Sequence, residues 1–247
     1  MIDTHAHLDS SAEPADVLIE RARGAGVTRI VSVGTKPESW RATLEIAERH
    51  EGVFAALGLH PHEAESADGA LAPLRDALAH PRAVAVGETG LDYYRDYAPH
   101  GAQLHAFRAQ LELAHELSKP VVIHNRAADE DVGVQLRGFE GTVVLHCFSS
   151  PLLLRDALDR GWYVSFAGNV TYKNAYDLRT AARAVPPERL LVETDSPYLA
   201  PQPRRGRPNE PANLVHTVAS LAETRGEDAD ELAARLEANA VACFGLS

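Results

Sequence analysis

The sequence predicts a single-domain α/β protein folded as a (β/α)8, or TIM, barrel. Three observations predict it. Eight short apolar runs recur along the chain, at residues 2–5, 29–34, 53–60, 83–88, 121–124, 143–146, 163–166 and 190–195. They are rich in Val, Ile and Leu and largely non-alternating, as strands buried on both faces are. Segments of helical length stand between most of them, and strand alternating with helix makes a parallel sheet. The length, 247 residues with 45% hydrophobic content, suits one closed barrel of roughly 250 residues. No Gly-x-Gly-x-x-Gly follows the first run, which weakens an open doubly wound alternative.

Taken in order, the first strand leads into a helix over 13–25, with Ser10-Ser11 as its expected cap, Pro14 in its first turn and Gly26 at its stop. The helix over 38–51 follows Pro37 and carries Trp40, Leu44 and Ala47 on one face. The helix over 103–118 places Leu104, Phe107, Leu111 and Ala114 along one stripe. Helices over 151–160, 175–185, 212–225 and 229–243 follow the same logic. No helix is assigned between 60 and 83 or between 124 and 143. The Pro- and Arg-rich stretch 200–211 is a loop too short to divide domains, so residues 1–247 form one unit.

The net charge of −11 argues against a surface that grips duplex nucleic acid by countercharge. A locally positive mouth is still open to the chain, because bound cations dominate the field inside a site. Two cysteines, Cys147 and Cys243, give neither a disulfide framework nor a metal knuckle and read as reduced thiols. No apolar run approaches a membrane span. A cleaved export signal would remove His5 and His7, so the expected compartment is cytoplasmic.

The strands of such a barrel deliver their C-terminal ends to one mouth, where active sites sit. His5 and His7 end the first strand, and residues i and i+2 of a strand share a face, so both imidazoles can reach one metal ion. His60 and His62 end the third, Glu88 the fourth, His124 the fifth, His146 the sixth and Asp195 the eighth. Six of the twelve histidines thus lie on one rim. His50, His80, His100, His105, His115 and His216 fall in helices or loops and read as surface residues. Taken singly, each rim residue has a plainer explanation: His146 as a hydrogen-bonded core histidine, Glu88 or Asp195 as a helix cap. Jointly they need a cation, since burying either carboxylate without one costs several kcal/mol, roughly.

These residues sit in motifs: His5-x-His7, Gly58-Leu59-His60-Pro61-His62, Gly87-Glu88-Thr89-Gly90-Leu91-Asp92-Tyr93, His124-x-Arg126, His146-Cys147-Phe148-Ser149, Glu193-Thr194-Asp195-Ser196-Pro197-Tyr198-Leu199 and Arg205-Gly206-x-x-Asn209-x-Pro211. Together they resemble the TatD-type metal-dependent deoxyribonucleases, from residue 2 to the segment 239–244. The resemblance implies a metal-dependent hydrolase with two divalent ions (Zn, Mn or Mg). His5, His7 and Asp195 would hold one, His124 and His146 the other, and Glu88 would bridge. The wider amidohydrolase superfamily usually places lysine on strand four, and Glu88 here resembles the nuclease branch instead. Relatives usually carry Gly where this chain has Ser150, a departure expected to alter the loop after strand six.

Two cations about 3.5–4 Å apart can activate a water and stabilise both oxygens of an in-line phosphodiester displacement. Asp195 is the expected general base, with Glu88 assisting as the bridge. His60 and His62 are assigned to the non-bridging phosphate oxygens, and Arg126 to a guanidinium clamp on phosphate. Arg205 and Arg207 are candidates to guide a backbone, with a solvated basic loop equally open. Asp92, Tyr93 and Tyr94 are candidates to orient or stack on a terminal nucleotide, although Tyr93 packing beneath its loop is also open. The expected substrate is single-stranded DNA or a frayed end, trimmed 3′ to 5′ by family resemblance, with no membrane and no obligate protein partner. A small-molecule amidohydrolase, a D-aminoacyl-tRNA deacylase and a non-catalytic binding protein are the rival readings.

Overall fold

The computed structural model describes residues 1–246. Eight parallel strands pair in chain order: β1 (Ile2–Ala6), β2 (Arg29–Gly34), β3 (Val53–Leu57), β4 (Ala83–Asp92), β5 (Val121–Arg126), β6 (Val143–Leu145), β7 (Tyr163–Phe166) and β8 (Leu190–Val192). The seam between β8 and β1 is made just beyond β8. There the Asp195 N–H donates to the His5 carbonyl at 2.9 Å and the His7 N–H to the Ser196 carbonyl at 2.7 Å. Asp3 reinforces the same seam, accepting from the Thr194 N–H at 2.9 Å and the Thr194 hydroxyl at 2.6 Å. The barrel is therefore nearly closed, and β1 and β8 carry their terminal side chains to one place.

Nine helices pack around or beneath these strands among the described residues: α1 (Ala15–Gly24), α2 (Pro37–Arg49), α3 (Ala67–Leu78), α4 (His100–Leu117), α5 (Asp129–Leu136), α6 (Pro151–Arg160), α7 (Tyr176–Ala184), α8 (Leu214–Arg225) and α9 (Ala229–Phe244). Two of them, α3 and α5, lie where the sequence suggested none. Helix α3 contains Gly69 and Pro73, both weak in a helix interior, yet both face solvent while Ala67, Ala70, Leu74 and Leu78 make a continuous buried stripe. Helix α5 has only eight residues and opens on Asp129, Glu130 and Asp131, which suit a helix N-terminus but leave little periodicity to read. The expected cap on α1 is also corrected. Pro14 occupies that position, and the hydroxyls of Ser10 and Ser11 instead donate back to the His7 carbonyl at 3.4 and 3.0 Å.

The barrel interior is filled from its N-terminal end. Ile2, Val31, Phe54, Val122, Val144 and Leu191 point inward near the starts of their strands and pack with Ala240, Cys243 and Phe244 of α9. That end is stoppered by apolar side chains, as a barrel core should be. The C-terminal end holds a cavity of about 820 Å³. Cys147 and Cys243 are both free thiols. Among the described residues no helix is long and apolar enough to cross a membrane.

Candidate metal centre

Glu88 sits at the centre of the open end, only 3% exposed. Its two carboxylate oxygens face different partners. Oε1 lies 2.6 Å from His124 Nδ1, 2.9 Å from His146 Nε2 and 3.5 Å from His60 Nε2. Oε2 lies 3.5 Å from His5 Nε2 and 3.8 Å from His7 Nε2. Asp195 Oδ1 closes the second group, 3.8 Å from His5 Nε2 and 3.5 Å from His7 Nε2. The rings of His5 and His146 stack with centroids 4.0 Å apart, joining the two groups.

Local backbone geometry makes this convergence possible. Strand β4 does not stop at Glu88 but runs on to Asp92, so Glu88 lies within a strand rather than at its end. Gly90 sits opposite His124 in the β4–β5 register with φ of 141°, and a Cβ there would lie 2.0 Å from the His124 carbonyl oxygen. Only glycine lets β4 approach closely enough to bring Glu88 and His124 together. Asp195 and Cys147 both adopt left-handed backbone, with φ of 53° and 44°. Such residues are sparse outside functional sites, and here they re-aim the chain just past β8 and β6.

A second set of carboxylates fixes the imidazoles from behind. Asp92 Oδ2 lies 2.9 Å from His62 Nε2 and 3.2 Å from His124 Nε2, while its Oδ1 accepts the backbone N–H groups of Tyr94 and Arg95. Glu193 Oε1 lies 3.0 Å from His146 Nδ1 and accepts the Cys147 N–H at 2.8 Å. Sequence reasoning gave Glu193 no role; a charged residue closing the apolar run of β8 was the signal. Metal-bound histidines commonly carry such a partner on the far nitrogen.

The electrostatics are those of a preformed cation site. Burial alone pushes the Glu88 carboxyl up, but the charges of His146 and His60 and the bonds from His124 and His146 hold it well below the usual carboxylate range. Burial likewise works against a charged His146, yet Glu88 and Glu193 raise it well above the ordinary imidazole value. His7 and His124 are raised in the same sense, against burial, by Asp195 and by Asp92 and Glu88. His5 and His60 are pulled down to about 4, chiefly by burial, and so present neutral nitrogens. Three overlapping groups could each hold an ion, their ligand atoms lying within 4.8 Å of one another: His5, His7 and Glu88; His5, His146 and Asp195; and His60, Glu88 and His124. The donor set fits a divalent metal, since buried imidazole nitrogens at 3.3 Å (His5 and His7) need a shared electrophile or a shared proton between them.

The remaining predicted residues divide between the cavity and its surroundings. His62 and Arg126 line the cavity, and His60 joins the inner group around Glu88. The Arg126 guanidinium rests over the Tyr94 ring, 4.1 Å from its centroid. Asp92 also lines the cavity, but both of its oxygens are engaged by the protein itself. Tyr93 lies outside it, its ring stacked on His100 and its hydroxyl donating to Asp131 at 2.6 Å. Arg205 is likewise outside, its guanidinium over the Tyr172 ring at 4.3 Å, and Arg207 is exposed. Lys36, Arg95, Tyr97 and Tyr198 line the cavity without having been singled out for it. The six histidines expected at the surface are half-buried or exposed, and none lines the cavity.

A nearly closed parallel barrel with a histidine and carboxylate centre at its C-terminal mouth defines a barrel hydrolase of the metal-dependent class. The chain matches the model of the TatD related DNase family over residues 2–245 and belongs to that family. It is 45% identical to a protein of Mycobacterium tuberculosis described as an uncharacterized metal-dependent hydrolase TatD, covering all of this chain and 98% of the relative. It is 39% identical to a 3′-5′ ssDNA/RNA exonuclease TatD of Klebsiella pneumoniae, again covering all of this chain and 98% of that one. Among solved structures, the TatD homolog YJJV of Escherichia coli superposes with a TM-score of 0.94 at 33% identity, covering 100% of this chain and 98% of the other. The chain is thus a TatD-family metal-dependent hydrolase.

Proposed function

We propose that the chain is a 3′-to-5′ exonuclease acting on single-stranded DNA or frayed ends, and that it works with two divalent ions. The observation that carries this reading is the division of Glu88, one oxygen toward His124 and His146 and the other toward His5 and His7. A carboxylate so placed suits a bridge. His5, His7 and Asp195 would hold one ion, and His124 and His146, with His60 beside them, the other. Imidazole and carboxylate donors suit Zn²⁺ or Mn²⁺ better than a Mg²⁺ ion held mostly by water. Bound divalent ions supply Lewis acidity and lower the pKa of water.

The chain's own groups do the rest. Asp195, beside His5 and His7, takes the proton of the attacking water as the P–O bond forms. It returns a proton to the 3′ oxygen as the P–O3′ bond breaks. Lys36, Arg95 and Arg126 line a cavity in an otherwise acidic protein and neutralise phosphate oxygens, Arg126 by its planar fork. The relatives named as ssDNA/RNA exonucleases favour a nucleic-acid end over a small ester.

The test is incubation of the Mn²⁺- or Zn²⁺-loaded protein with oligonucleotides labelled at either end, alongside an ester panel and D-aminoacyl-tRNA. Mononucleotides released stepwise from the 3′ end, and abolished by chelator, are expected. Turnover of the esters or of the aminoacyl linkage with intact oligonucleotide would replace this reading.

A further inference from the structure

Tyr97 and Tyr198 are 63% and 57% exposed, large rings left in water at the lip of the cavity. Tyr198 stands edge-on to His7, their centroids 5.8 Å apart, on the side of Glu88 that faces His5 and Asp195. Tyr97 stands edge-on to His62 at 4.7 Å, and His62 in turn neighbours His60 and His124, which face the other Glu88 oxygen. One ring therefore flanks each side of the centre. Neither hydroxyl has a protein partner among the described residues.

The loops beneath them are held firmly. The Tyr198 N–H donates to the Asp195 carbonyl at 2.8 Å. The buried Asn209 ties down the same loop through its own N–H to the Pro197 carbonyl and its side-chain amide to the Thr194 carbonyl. On the other side the turn after β4 is fixed by Asp92, which accepts from Tyr94 and Arg95, and by Gln103, which donates to the Asp92 and Ala98 carbonyls. Exposed aromatic rings on fixed loops offer stacking area at little entropic cost.

We infer that Tyr97 and Tyr198 are stacking platforms for the two unpaired nucleobases that flank the phosphodiester being cut. This rests on the nuclease reading and sharpens it. A phosphate held over this centre by the cations lining the cavity carries one nucleoside on each side, and each then meets one ring. Every base has a π-face, so the platforms are indifferent to sequence. Bases locked in a duplex cannot present those faces, which makes the preference for single strands a property of these two residues. Tyr93 and Tyr94, one stacked on His100 and the other beneath Arg126, are already occupied.

The test crosses two protein changes with two substrate changes. Tyr97→Ala and Tyr198→Ala are each assayed on a single-stranded oligonucleotide with all bases present, with the 3′-terminal base removed, and with the penultimate base removed. On the intact strand each variant is expected to raise KM by about tenfold or more with little change in kcat, and Phe or Trp at the same position to restore it. On one of the two abasic strands each variant should cost nothing further, and the two tyrosines should differ in which strand that is. A second readout uses chelator-treated protein and 2-aminopurine at the same two positions, where wild type quenches fluorescence and the matching Ala variant does not. Equal losses on intact and abasic strands, or no loss at all, would overturn the assignment while leaving the nuclease reading intact. Failure of the wild-type protein to bind or cut any strand would remove both.

Discussion

Nδ1 of His146 lies 3.0 Å from Oε1 of Glu193, and the same oxygen accepts the Cys147 N–H. The pair decides which nitrogen meets a metal, because Glu193 keeps the Nδ1 proton and leaves Nε2, turned toward Glu88, as the nitrogen that gives its proton up to an incoming cation. Glu193→Gln keeps the shape but presents an amide that can turn its N–H toward the ring. Metal affinity is expected to fall by about 10–100-fold, as when other partners behind metal ligands are lost. Competition against a chromogenic chelator measures it, and unchanged affinity would mean that Glu193 only anchors the Cys147 backbone.

Much of this centre is legible in sequence because strand ends of a parallel barrel must share a mouth. That rule puts His5, His7, His124, His146 and Asp195 at one mouth. It put Glu88 at the end of an apolar run over 83–88, whereas β4 runs on to Asp92 through Gly87 and Gly90, which permit the close approach to β5. It missed Glu193, whose partner His146 lies 47 residues away, just past β6. For Tyr93 the sequence leaves orienting a nucleotide and packing beneath its loop both open, and the structure has the second, its ring on His100 and its hydroxyl donating to Asp131. Helices α3 and α5 were hidden because tertiary burial of a few small and aliphatic residues outweighed poor local propensity.

Glu88 and Asp195 are expected to fail differently when changed. Glu88→Ala removes the group that both histidine sets face, so bound metal should fall at both positions together, measured by elemental analysis after dialysis. Retention of one full equivalent would contradict a bridging carboxylate. Asp195→Asn preserves volume and the backbone bond to His5, so the fold and most of the metal remain. Hydrolysis should drop by about 10²–10⁴-fold through loss of a general base. Near-normal turnover would transfer that role to another group.

Ser150 occupies the N-cap position of α6 but makes no side-chain cap there. Its hydroxyl instead donates to Asp129 Oδ1 and accepts from the Asn125 amide at 3.1 Å, tying the loop after β6 to the start of α5. Ser150→Gly deletes those bonds while the direct Asn125–Asp129 bond at 2.6 Å survives. Glycine is itself a tolerated N-cap, so the loss is that of the cross-link, about 1 kcal/mol. For a chain of this size that lowers Tm by about 2–4 °C. Scanning calorimetry decides the matter, and Asp129→Ala in both backgrounds isolates the coupling; additive losses would show that the loops are not joined through this hydroxyl.

Metal binding should release protons, and more of them than ordinary histidines would give. Without metal, His146, His7 and His124 are raised above the ordinary imidazole value of 6.5 by Glu88, Glu193, Asp195 and Asp92 in spite of burial. They hold protons near neutrality that an incoming cation must displace. His5 and His60, pulled down to about 4, are already neutral and contribute none until the solution is far more acidic. The sign follows: affinity falls as pH drops, and it keeps rising as pH climbs past 6.5, where unperturbed ligands would have levelled off. Titration calorimetry in buffers of different ionisation enthalpy counts the protons directly. Release near neutrality in every buffer is expected, with a steep dependence above pH 6.5. Heats that do not vary with buffer would mean that the histidines meet the metal already deprotonated, and that the carboxylates behind them do not govern their charge.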